Sequence, residues 1–121
     1  MRRALAVCGL IGTTVLPLNG REPLALAVSP TVAFAPATVR VRARIEPSAD
    51  NSRLTIVADG PSLYRSSEIP LEGDQAPRTV ELLFRGMPGG EYQVYAVLTD
   101  TVGHQRGIAR QATRVVSQFG E

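Results

Sequence analysis

The sequence predicts an all-β domain, a sandwich of two antiparallel sheets built from about seven short strands. Three observations lead there. Apolar and polar residues alternate with period two in several runs, as they must in a strand with one buried face. Proline, glycine, asparagine and aspartate punctuate those runs at hairpin-like spacing. No run carries the apolar stripe of an amphipathic helix, and there is no internal repeat.

The chain's 121 residues allow one domain. Charged residues make up 20%, which excludes a charged disordered tail, and 11 glycines with 9 prolines are too few for a collagen-like repeat. All 13 basic residues are arginine, and lysine is absent.

The N-terminus reads as a secretory signal. Arg2 and Arg3 form a positive start, Ala4 to Leu18 is mostly apolar, and Ala25-Leu26-Ala27 is an acceptable signal peptidase site. The apolar run is shorter than the ~20 residues of a membrane span, and Pro17 closes it. The domain plan is therefore a signal over 1–27, an N-terminal edge segment over 28–37, a sandwich over 38–116 and a tail over 117–121. Leu5-Ala6-Val7-Cys8 resembles a lipoprotein box only superficially, because the apolar run follows Cys8. Cleavage after Ala27 removes Arg2, Arg3, Arg21 and Glu22, leaving ten basic and ten acidic residues. The alkaline whole-chain pI then belongs to the signal, and charge gives no case for nucleic-acid binding. Cys8 leaves too, and with it any disulfide, thiolate metal site or thiol nucleophile. The expected location is the periplasm or the cell exterior, with membrane contact only through the signal if it stays uncleaved.

Along the chain, Pro30 and Pro36 keep residues 28–37 extended but bar them from a central strand. From Thr38 to Glu46, Val39, Val41, Ala43 and Ile45 face inward while Arg40, Arg42 and Arg44 face outward. Residues 48–52 form a turn-rich loop. Arg53 to Asp59 is a strand with Leu54, Ile56 and Ala58 on one side. Residues 62–71 read as a bent connection or short edge strand carrying Tyr64 and Ile69, and residues 72–77 as a loop. Two core strands flank the Met87-Pro88-Gly89-Gly90 turn. Val80, Leu82 and Phe84 share a face in the first, and Tyr92, Val94, Ala96 and Leu98 in the second. A loop over 102–107 leads to a last strand, Ile108 to Val116, whose alternation is blurred by Gln111 and Thr113. One sheet would leave these apolar faces wet, so two must close over them.

Met87-Pro88-Gly89-Gly90-Glu91-Tyr92-Gln93-Val94 resembles the run before strand F in fibronectin type III and related Ig-like domains. Bacterial carboxypeptidase-regulatory-like and Cna B-type domains carry a similar run. The resemblance implies an Ig-like, fibronectin type III-like sandwich, with Tyr92 as a structural tyrosine corner. The chain departs from those families in lacking a tryptophan, a bridging cysteine pair and the lysine of a Lys–Asn cross-link.

The candidate surface contacts are Arg40, Arg42, Arg44 and Tyr95. The arginine row is either an anion, polysaccharide or partner patch, or a solvated face paired with acids such as Glu81 or Glu68. Tyr95 points opposite to Tyr92 and could stack on a ligand. His104, the single histidine, lies near Asp100 but has no nucleophile setting, and reads as a polar loop residue. Asp59, Glu72, Asp74 and Asp100 lack calcium-loop spacing. The expectation is a non-enzyme with no cofactor, no metal and no nucleic acid. Its anticipated role is contact with another envelope or extracellular protein. Carbohydrate or envelope-polymer binding through the arginines and Tyr95 is the alternative.

Overall fold

The computed structural model describes residues 22–117. Arg2, Arg3, Cys8, the apolar run and residues 118–121 lie outside them. Eight strands follow in order: β1 Leu24–Ser29, β2 Val32–Phe34, β3 Ala37–Ile45, β4 Asn51–Asp59, β5 Tyr64–Pro70, β6 Thr79–Met87, β7 Gly90–Asp100 and β8 Gln105–Val116. A 3-10 turn, Gly73–Gln75, lies between β5 and β6. A three-stranded sheet, β1-β3-β6, faces a five-stranded sheet, β2-β8-β7-β4-β5. The architecture is an all-β sandwich.

Alternation works as the residues dictate. β3 alternates buried and exposed residues along its whole length, with Val39, Val41, Ala43 and Ile45 inside. Leu54, Ile56 and Ala58 of β4 meet Tyr92, Val94, Ala96 and Leu98 of β7 in the same core. Val80 and Leu82, read as core, are only partly buried, because β6 is the open edge of the smaller sheet.

The N-terminal boundary differs from the sequence reading. The segment over 28–37 is not one edge segment. It divides into the end of β1, all of β2 and the start of β3, around Pro30 and Pro36, each preceded by a cis peptide bond. Ala25-Leu26-Ala27, read as a cleavage site, lies inside β1, paired with Arg44, Ala43 and Arg42 of β3. Leu24 and Val28 are buried. Small residues disguise this strand: alanine and serine alternate with Leu24, Leu26 and Val28, so its outward face carries little chemical signal.

Buried polar residues explain two other differences. Asn51, read as loop, opens β4 and is 2% exposed. Its amide donates to the Glu46 carbonyl at 3.0 Å and accepts from Arg106 at 2.5 Å. Thr113, which blurred the last strand, is buried with its hydroxyl donating to the Pro30 carbonyl at 2.8 Å. That bond ties the chain between β1 and β2 to β8, where β2 runs parallel to β8.

Candidate functional site

Tyr92 sits where β7 leaves the Pro88-Gly89 turn. It is 1% exposed and donates from its hydroxyl to the Pro88 carbonyl at 2.7 Å. Burial raises its pKa, because the phenolate would lose its water. The ring lies against Gly60: a Cβ built there would stand 2.5 Å from two ring carbons. Glycine at 60 therefore makes room for an aromatic ring. This residue is structural, and functional chemistry must be sought on the outer faces and open edges.

The outer face of the three-stranded sheet carries the arginine row. Register places Ala25, Ala27 and Ser29 of β1 beside Arg44, Arg42 and Arg40. On the other side, Thr79, Glu81 and Leu83 of β6 stand opposite the same three arginines. Arg42 pairs with Glu81 at 2.5 Å, and this contact lowers the Glu81 pKa. Glu68 is not a partner, because it lies on β5 in the other sheet. Arg40 and Arg44 make no ion pair among the described residues. A depression of about 410 Å³ is lined by Ala25, Leu26, Ala27, Arg42, Arg44 and Thr79. A second, of about 220 Å³, is lined by Ala27, Ser29, Arg40 and Arg42. Both share Ala27 and Arg42, so they form one shallow trough along β1 and β3.

Tyr95 lies on the outer face of the five-stranded sheet. The structure thus separates it from Arg40, Arg42 and Arg44, and the reading that joined them in one ligand surface is corrected. Opposite phase on neighbouring sheets looks the same in sequence as opposite faces of one domain. Around Tyr95, the Arg110 guanidinium stands 5.7 Å from the ring centroid. Tyr64 is 60% exposed, and its pKa is raised chiefly by the neighbouring Tyr95 phenol. Val57, which alternation would leave outside, is buried opposite Tyr95. Sequence reasoning missed Arg110 and Val57 because cross-strand neighbours depend on register, which no local pattern reports.

The third feature is an open edge. Ile45 donates its N–H to the Arg78 carbonyl. With the observed register, Val80, Leu82 and Phe84 of β6 therefore turn their backbone groups to β3. Thr79, Glu81 and Leu83 turn theirs away, toward the side where β5 overhangs the smaller sheet. Arg65 of β5 reaches across that side to bond the Arg85 carbonyl.

His104 is 80% exposed at its side chain, 3.8 Å from Asp100. Asp100 serves the turn: its carboxylate accepts from the N–H groups of Val102 and His104 at 3.0 and 2.8 Å. The His104 bond is the main reason its pKa is lowered. Among the described residues, no group of three or more His, Cys, Asp or Glu side chains could hold a metal ion, and no helix is long and apolar enough to cross a membrane.

No protein-family model and no curated protein matches the sequence. Solved structures do share its fold. A variant of the superoxide reductase (neelaredoxin) of Ignicoccus hospitalis is 13% identical, covering 81% of this chain and 83% of its own at a TM-score of 0.55. Another structure of that reductase is 12% identical, covering 78% of this chain and 80% of its own, with a TM-score of 0.53. The CARDB domain of a Pyrococcus furiosus protein, solved with di-metal ions, is 10% identical, covering 78% of this chain and 92% of its own, at 0.50. At such identities the likeness shows the fold alone. It nonetheless corrects the expectation of a non-enzyme. This sandwich is shared with an enzyme, so neither the fold nor the lack of a nucleophile setting around His104 argues against catalysis.

Proposed function

We propose that the chain is an exported Ig-like binding module that holds another protein of the bacterial envelope by strand addition at β6. The strand order and the Tyr92 corner support the Ig-like, fibronectin type III-like part of this reading. One observation carries the binding part: β6 is nine residues long, free of proline and lysine, and no strand pairs with its outer side, where the Arg65 side chain reaches only the Arg85 carbonyl. Such an edge is a template for an incoming strand. A strand added there would lie over the inner face of β5 and cover the partly buried Val80, Leu82 and Ile69. Leu83, 39% exposed, would gain a neighbour on the outer face.

A photo-crosslinker placed at Thr79 or Glu81 in exported protein tests this. A discrete adduct should form, and Leu83→Pro should abolish it. The Leu83 N–H points away from β3, so proline there removes no ladder bond and should leave the domain folded. Adducts that persist in the proline variant, or that form only from β5, refute edge addition. Export itself predicts an N-terminus before Leu24, since a cut after Ala27 removes four of the six residues of β1. Sequencing that begins at Val28 contradicts an intact β1 in the mature protein.

A further inference from the structure

We infer that the trough beside the arginine row binds a linear acidic polysaccharide, through side chains of the outer face rather than the free backbone groups of the β6 edge. Four features converge on this class of ligand. The row presents guanidinium groups at a two-residue strand step of ~6.6 Å, a linear array of charge. Two of its three arginines, Arg40 and Arg44, make no ion pair among the described residues, whereas Arg42 is held by Glu81. Guanidinium forks match carboxylates in bidentate geometry. Beside the arginines, Ala25 and Ala27 set a low apolar floor, and Ser29 and Thr79 border it with hydroxyls. A low apolar floor accepts the C–H face of a sugar ring, and the hydroxyls meet its polar rim.

The floor separates this ligand from other polyanions. Polyphosphate carries charge but no apolar face, and makes no use of Ala25 and Ala27. A neutral glucan could rest on the floor but leaves the arginines unanswered. The trough is open and runs along the strands, which suits a polymer rather than a single sugar. Each exposed charge contact is weak, so affinity must come from several in a row.

Affinity electrophoresis in gels containing polygalacturonate, dextran or polyphosphate tests the proposal. Polygalacturonate should retard the protein, more weakly as salt rises, while dextran should not. The Arg40→Gln/Arg44→Gln double variant should bind polygalacturonate about tenfold more weakly. Ala27→Glu should do the same by filling the floor with a like charge. Ala27 faces outward, so melting curves should show both variants folded. Retardation that is as strong in polyphosphate or dextran overturns the proposal, as does retardation unchanged in the two variants, or none in polygalacturonate. The Arg40→Gln/Arg44→Gln variant, which leaves the β6 backbone unchanged, should still form the β6 adduct, and this keeps failure of the edge and failure of the trough distinguishable.

Discussion

Gly60 and Tyr92 form the contact most open to quantitative challenge. The perturbation is Gly60→Ala. An added methyl would sit 2.5 Å from two carbons of a ring that is itself 1% exposed. The ring is pinned by its hydroxyl bond to Pro88, so it cannot swing aside without breaking that bond. Overpacking of a filled core costs about 1–3 kcal/mol. Loss of the hydroxyl bond adds about 1 kcal/mol. Gly60→Ala should therefore destabilise by roughly 2–4 kcal/mol, lowering the midpoint by about 8–20 °C in a domain of this size. Tyr92→Phe removes only the hydroxyl bond and should cost about 1 kcal/mol. Tyr92→Leu frees space, so Gly60→Ala should cost far less in that background. Urea unfolding of the four proteins of this cycle gives a coupling energy, expected above about 1 kcal/mol. Additive costs would show that the ring does not occupy the space beside Gly60, and the corner geometry would be wrong.

Three further outcomes follow from the same contacts. Asn51→Leu leaves the Glu46 carbonyl and the Arg106 guanidinium without the amide, and should cost about 2–3 kcal/mol by urea unfolding. Asp100 has a lowered folded pKa, so its stabilising effect is present above the unfolded carboxylate pKa and is lost as pH falls through the folded value. Melting temperature should drop with acid over that range, and Asp100→Asn should flatten the drop. Arg42→Ala breaks an exposed pair and should change stability by less than about 1 kcal/mol, with the difference shrinking in high salt.

The inner faces of β3, β4 and β7 were legible because burial on one side writes itself as strict alternation. Arg40, Arg42 and Arg44 were correctly left outside for the same reason. The boundary at β1 was not legible: Ala25 and Ala27 satisfy a protease site and a small outward strand face equally well. Asn51 and Thr113 misled because a polar residue signals exposure unless its partner is known, and Glu46, Arg106 and Pro30 are brought near only by the tertiary fold. The surfaces were half legible. The arginine row is local to one strand, but its small-residue trough comes from β1, and Arg110 reaches Tyr95 from β8. The β6 edge is a property of strand order, which period-two patterning does not encode.

The parallel seam between β2 and β8 has a mechanical consequence. Thr31 accepts from Arg114, and Ala35 donates to Val116, so bonds bracket the three paired residues at both ends. Because the two strands run the same way, tension that draws the N-terminal side of β2 away from the C-terminal side of β8 slides one along the other. Such sliding strains these bonds together rather than peeling them singly, and the seam acts as a brace against stretching.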